Sequence, residues 1–294
     1  MARPLLALAT LTLWLCAAAA QGQTAQREVL LLTVNDAITP ATMDYLQRGI
    51  AAGEERGAEL VIIELDTPGG LMASTRTLIK SILASGVPVA TYVSPSGSRA
   101  ASAGTYILLA SHVAAMAPAT HIGSATPVQM GGLPSMPSDG DGEPSSPAGD
   151  EAGDGAPSPG GRGQGGSAME RKVLEDAVSY IRELADRHGR NADWAERAVR
   201  EAANLGAQQA LAENVIDLVA ADVQDLLSSV DGRVVSLAAG DRALATADAR
   251  VVRVDPDWRT RLLSVITDPN IAYFLLLLGF YGIIFEFANP GSLF

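Results

Sequence analysis

Residue types that carry much of enzyme chemistry are scarce in this 294-residue chain. There is one cysteine, Cys16, so no disulfide can form within the chain. There are three histidines, His112, His121 and His188, and only two of the 21 basic residues, Lys80 and Lys172, are lysine. Arginine stays protonated at any working pH, so an amine acting as a base must come from one of those lysines or from the N-terminus. Positive charge is in deficit overall, with a net charge of −12 and a pI near 4.7, which argues against a nucleic-acid surface. No metal site and no cofactor are expected.

The chain opens with Arg3, an apolar run at 5–15 and the small residues 17–20. That order reads as a secretory signal peptide over 1–20, with an uncleaved anchor as the alternative. The bulky Leu15 before Cys16 disfavours a lipoprotein signal. A mature chain would begin near Gln21, outside the cytoplasm.

Apolar runs at 28–34, 60–65 and 87–93 read as buried strands. Between them, Thr39-Pro40 opens one helix and a second covers 72–84. Strand and helix alternate at βαβ spacing, which predicts a parallel sheet with both faces covered. A fourth short strand is expected at 113–116. From 129 to 167 the composition shifts to Gly, Pro, Ser and Asp, which reads as a disordered insert within one domain. Helices are expected over about 168–188, 192–201, 207–213 and 222–228, a short strand at 214–219, and an extended pair or hairpin from 233–237 and 250–254. The apolar stretch 271–288 is long enough to span a bilayer only marginally, with Glu286 near its end needing an interface or a partner, and a buried soluble helix is its alternative.

Two glycine-bearing turns stand at the ends of adjacent strands. One is Asp66-Thr67-Pro68-Gly69-Gly70 and the other runs from Gly97 through Ser102 to Gly104. Sites collect at such strand ends in parallel sheets. Ser102 sits among small residues where a helix should begin. By themselves those residues favour the plainer reading, a tight turn with a well-packed helix start. Gly69, Gly70 and Ala103 are the candidates to donate backbone N–H groups to an oxyanion facing the Ser102 hydroxyl. Neither turn has the glycine spacing of a nucleotide loop. None of the histidines has an obvious orienting carboxylate, so each reads more readily as structural or exposed than as a base, His188 at a helix end. Lys172 is the other candidate, because burial in an apolar pocket would favour the neutral amine that can accept a proton. A solvated lysine at a helix end is the alternative. Lys80 reads as snorkelling from mid-helix to solvent.

The motifs Asp66-Thr67-Pro68-Gly69-Gly70, Ala100-Ala101-Ser102-Ala103-Gly104-Thr105-Tyr106 and Met116-Ala117-Pro118 resemble the NfeD-like membrane-bound serine proteases, partners of stomatin in its operon. These belong to the Clp protease and crotonase superfamily. Lys172, Tyr180-Ile181, Gly189-Arg190-Asn191 and the closing Phe285-Glu286-Phe287-Ala288-Asn289-Pro290-Gly291 extend the similarity. The resemblance implies an α/β fold of Clp protease/crotonase type, with a parallel sheet and helices, followed by a C-terminal transmembrane helix. It places the family's nucleophile on Ser102, its lysine on Lys172, and its oxyanion donors on the Gly69-Gly70 turn, Gly70 favoured, and on Ala103. The position taken by a histidine in soluble Clp proteases falls on Ala125, so a serine–lysine dyad is implied rather than a triad.

Further expectations follow from that resemblance. The protease domain spans 27–254 around the 129–167 insert, and 255–294 is a linker with the start of a membrane region. Family members are implied to be homodimers that cleave hydrophobic peptide segments, including one in a stomatin-like membrane protein. Full-length members continue into more membrane helices and a small β-barrel, so this chain reads as a shortened or alternative form. A catalytically silent scaffold for a stomatin-like protein is the alternative function. Acyl-thioester chemistry of the crotonase type is a third, disfavoured by export from the compartment of coenzyme A.

Overall fold

The computed structural model describes residues 27–127, 168–267 and 269–288. The expected leader, 1–20, and the expected insert, 129–167, lie outside the described residues. From the N-terminal side, β1 (Glu28–Val34) leads to α1 (Pro40–Arg56), β2 (Leu60–Leu65), α2 (Met72–Ala84) and β3 (Val89–Val93). Next come β4 (Arg99–Ala101), α3 (Ala103–Ala110), β5 (Val113–Met116) and β6 (His121–Gly123). Beyond the insert lie α4 (Ala168–Arg187), α5 (Ala192–Arg200), β7 (Asn204–Gly206), α6 (Ala207–Ala212), β8 (Leu218–Val219) and α7 (Val223–Val230). The described chain closes with β9 (Val234–Leu237), β10 (Gly240–Ala243), β11 (Arg250–Arg253), α8 (Trp258–Thr267) and α9 (Pro269–Ala288).

Six strands form one sheet in the order β11-β1-β2-β3-β5-β8, and every neighbouring pair is parallel. Parallel strands need crossover helices, and those helices bury both faces of the sheet. Alternate residues of β1 show it. Leu30 and Leu32 join a core with Leu46 and Ile50 of α1, Leu78 of α2, Ile107 of α3 and Ile181 of α4. Val29 and Leu31 join a second core with Leu226 and Leu227 of α7 and Val235 of β9. Burying each such aliphatic side chain is worth about 1.5–3 kcal/mol, which is why these strands read as near-continuous apolar runs.

Local signals set the helix ends. The Thr39 hydroxyl accepts the Thr42 N–H at 3.2 Å, Pro40 takes the first turn of α1, and Gly57 closes it with φ 62°. Within α1, a methyl on Gly49 would stand 2.4 Å from Leu32 Cδ1, so glycine lets this helix lie close on β1.

The structure departs from the sequence reading in three places. The segment after β3 does not turn straight into α3, because β4 intervenes and pairs with β6, which pairs in turn with β7. Residues 233–237 and 250–254 are not partners. β9 forms a hairpin with β10, and β11 crosses the molecule to pair in parallel with β1. Within the expected strand at 214–219, only Leu218–Val219 is extended in the sheet.

After β11, α8 packs on α1 and α9 follows at Pro269. Residues Ile271–Ala288 of α9 have a mean hydropathy of 2.0, and none of that stretch is buried, so the helix is long and apolar enough to cross a membrane.

Candidate active site

The site grows from the C-terminal ends of β2 and β3. Beyond β2, the Asp66 carboxylate accepts the Arg99 N–H at 3.0 Å. Thr67 exchanges backbone hydrogen bonds with β4, its N–H donating to Arg99 O at 2.8 Å and its carbonyl accepting from Ala101 at 3.1 Å. These bonds fix the glycine turn against the segment that carries Ser102. On its other side the turn is tied to Ile38, whose N–H donates to Gly69 O at 2.8 Å.

Both glycines are required by geometry. Gly69 has φ +128°, and a methyl there would stand 2.9 Å from Ser102 Cβ and 3.3 Å from its Oγ. A methyl on Gly70 would meet the Ile38 carbonyl oxygen at 2.4 Å. Their N–H groups differ. That of Gly69 donates to the buried Thr67 hydroxyl at 3.1 Å. That of Gly70 has no acceptor among the described residues.

Ser102 adopts φ 50° and ψ −111°, a conformation that favours glycine. The surroundings enforce it. Its N–H donates to Gly123 O at 3.0 Å, and its carbonyl accepts the Thr105 N–H at 2.9 Å. The Thr105 hydroxyl reaches the carbonyls of Ala100 and Gly123, both at 2.9 Å. Residues either side of the elbow are thereby clamped while the Ser102 side chain stays half-buried with no hydrogen-bond partner among the described residues. Ala103 is the first residue of α3, and its N–H is likewise free among the described residues, as helix starts leave it. One unpaired donor, on Ala103, thus adjoins the unpaired Ser102 hydroxyl, and the other, on Gly70, adjoins the glycine that lies against Ser102.

Two of the three histidines, His112 and His188, are excluded as the base by their other commitments. His112 Nδ1 accepts the Val89 N–H at 3.1 Å, and His188 Nε2 donates to Ala110 O at 3.1 Å. The two rings meet edge to face at 5.8 Å. Burial, with nearby arginines, pushes both imidazoles down to about 4, so they are neutral near pH 7. His188 therefore serves the end of α3 as a neutral donor rather than its own helix as a cation. His121 is exposed on β6. Ala125 is buried, its N–H donating to Ala198 O at 2.8 Å.

Lys172 lies near the start of α4, which packs on α3 through Tyr180 stacked on Tyr106 at 6.0 Å. Asp176 and Tyr180 follow Lys172 at intervals of four, so the three share one helix face. Arg76 of α2 closes over that face, pairing with Asp176 and lying 4.4 Å from the Tyr180 ring centre. The Lys172 side chain is exposed and has no partner among the described residues. The structure thus brings Gly69, Gly70, Ser102 and Ala103 together and leaves Lys172 in solvent on the helix that abuts α3. Lys80 is exposed on α2, as its position in the helix implies.

Against this geometry, comparison with known proteins is decisive. The chain is 33% identical to a membrane-bound stomatin-specific protease, 1510-N, solved as a lysine-to-alanine mutant with a substrate peptide. The match has a TM-score of 0.67 and covers 83% of this chain and 99% of that one. The chain belongs to the NfeD family of membrane-bound proteases. A serine-to-alanine mutant of 1510-N matches at 31% identity and a TM-score of 0.64, over 79% of this chain and 99% of that one. Residues 28–135 match the NfeD1b N-terminal domain. Among curated proteins, the membrane-bound protease PH1510 of Pyrococcus horikoshii is 35% identical over 91% of this chain, and the membrane protein NfeD1b of Bacillus subtilis is 31% identical over 34% of it. The chain spans about half the length of PH1510, 54%, and 22% of NfeD1b. The parallel-sheet α/β fold of this NfeD domain is that of the 1510-N protease structures.

Proposed function

We propose that this NfeD-family chain is a membrane-anchored serine endopeptidase with Ser102 as nucleophile, Lys172 as general base, and the N–H groups of Gly70 and Ala103 as oxyanion donors. The observation that carries the reading is the glycine turn held against Ser102, with both N–H groups unpaired. The solved relatives add support, since 1510-N was solved as a serine-to-alanine mutant and, in complex with a substrate peptide, as a lysine-to-alanine mutant.

The neutral Lys172 amine takes the Ser102 hydroxyl proton as Oγ attacks the scissile carbonyl carbon. The carbonyl π electrons move onto oxygen, and the two N–H groups stabilise that oxyanion. On collapse, the C–N bond breaks and the Lys172 ammonium returns its proton to the leaving amine. Water then repeats the sequence on the ester and frees Ser102. Approach of the Lys172 amine to Ser102 completes the site, and an apolar segment bound beside Ser102 would exclude water from it. The relative named stomatin-specific makes an apolar segment of a stomatin-like protein the proposed substrate here. The domain is proposed to lie outside the cytoplasm, on the reading of 1–20 as a secretory leader, and a homodimer is the proposed assembly.

Cleavage of an apolar peptide by the intact chain, Ser102→Ala and Lys172→Ala tests this. Each substitution is expected to lower the rate by about 10³-fold or more. Undiminished cleavage by either variant overturns the dyad. The exposed Lys172 favours one other reading, a catalytically silent scaffold for a stomatin-like protein. A Ser102 that resists serine-directed acylation, with Ser102→Ala still capturing that partner, decides for the scaffold.

A further inference from the structure

Helix α8 is inside out relative to an ordinary surface helix, which turns its apolar stripe to the core and its polar face to water. Its polar side does the docking. Thr260 is buried against α1, with the Arg48 guanidinium donating to Thr260 Oγ1 at 2.7 Å and to the Asp257 carboxylate at 3.0 Å. Asp257 in turn caps the helix, accepting the Thr260 N–H at 2.9 Å and its hydroxyl proton at 2.6 Å. Hydrogen bonding from Arg48 and from Thr260 holds the Asp257 carboxyl far below the usual carboxylate range, so the cap stays charged.

The apolar side is left outward. At 100° per residue, positions 258, 262, 265 and 266 fall within about 100° of arc, nearly opposite Thr260. Trp258 is 69% exposed, Leu262 50%, Val265 54% and Ile266 48%. The patch runs directly into α9, which begins at Pro269 and carries the membrane-length apolar stretch Ile271–Ala288. An aromatic residue and three aliphatics on one helix face, beside a helix long and apolar enough to cross a membrane, match the composition of helices that lie in the interfacial plane of a bilayer.

We infer that α8 is an interfacial helix, its Trp258/Leu262/Val265/Ile266 face sunk in the headgroup and upper acyl region. The Arg48–Asp257–Thr260 cluster then couples the membrane to α1. Since α1 lies on β1, the depth of α8 sets how the whole sheet, and the cleft at its strand ends, is presented to the bilayer. An apolar segment emerging from the membrane surface would reach that cleft without first crossing water. The inference rests on membrane association and not on the serine–lysine chemistry.

The test uses the full chain in phospholipid nanodiscs, in a Cys16→Ser background that leaves no other cysteine. Nitroxide labels are placed singly by Leu262→Cys, Val265→Cys and Ile266→Cys, with Ser228→Cys on the exposed side of α7 as the aqueous reference. The expected result is a several-fold higher ratio of oxygen to nickel-chelate collision rates at the three α8 positions than at 228, with depths of about 5–10 Å. A ratio equal to the reference would put the face in water and overturn the proposal. Low collision rates with both reagents, from cover by a second copy or another protein, would overturn it equally. Peptide cleavage by the same samples is expected to be unchanged at labelled positions, so loss of the protease reading and loss of this one are separable.

Discussion

The Ser102 elbow makes a stability prediction that separates strain from chemistry. At φ 50° and ψ −111°, a residue with a Cβ is held in sparsely populated backbone space. Such strain costs of order 1–3 kcal/mol and persists only where the surroundings enforce it. Here the enforcement is visible in the bonds from Ser102 N–H to Gly123 O and from Thr105 N–H to Ser102 O. Ser102→Gly relieves the strain, at the expense of about 0.4–1 kcal/mol of added freedom in the unfolded chain. Ser102→Ala removes the same hydroxyl but keeps the strain. Ser102→Gly is therefore expected to be the more stable of the two inactive variants by about 1–2 kcal/mol. In a domain of this size that is a difference of about 2–8 °C in Tm. Thermal unfolding of both variants in the same detergent, followed by circular dichroism, measures it. A glycine variant equal to or less stable than the alanine variant would refute the argument that the fold stores strain at this serine.

Three further outcomes are expected. Gly70→Ala places a methyl 2.4 Å from Ile38 O, so the turn must move and its N–H with it. Peptide cleavage should fall by about 10²–10³-fold while Ser102 remains present, as for loss of one oxyanion donor. Stability should fall with acid between about pH 6.5 and 4. His112 and His188 are both pushed down to about 4, so the unfolded state binds more protons in that window, and stability is full above it and lost through it. Denaturant titrations at successive pH values should show a loss of a few kcal/mol, reduced in a His112→Asn, His188→Gln double variant. Finally, Asp217 pairs with the buried Arg190 at 2.7 Å and with Arg233 at 2.6 Å. Burial pushes its carboxyl up, but the two guanidinium groups and the Ala114 N–H outweigh that and hold it below its ordinary value. Asp217→Asn leaves Arg190 charged in the core, and equilibrium unfolding should show a loss of about 3–5 kcal/mol.

The main sheet was legible because β1, β2 and β3 are buried on both faces and are therefore near-continuously apolar. The small sheet was not. β4 and β6 are three residues each, begin with the exposed Arg99 and His121, and hold together through tertiary pairing rather than local pattern. The partner of β11 was illegible for a related reason, since a parallel pair more than 200 residues apart leaves no turn signal between its strands. At the site, Ser102 and its glycine turn could be read from small residues at two strand ends. The choice between Gly69 and Gly70 could not, because it depends on where the Thr67 hydroxyl points. The two histidines were read singly, whereas their shared burial arises only when α3, α4 and β5 pack together. Lys172 could be located on its helix but not against Ser102, since where a flexible, exposed side chain reaches leaves no local pattern in the sequence.

The most direct measurement is covalent labelling of the purified chain with a fluorophosphonate, followed by peptide mass spectrometry. The expected result is one adduct, on Ser102, absent in Ser102→Ala and slowed by at least tenfold in Lys172→Ala. Labelling of another serine, or an unchanged rate in Lys172→Ala, would contradict the assignment of this elbow as a lysine-activated nucleophile.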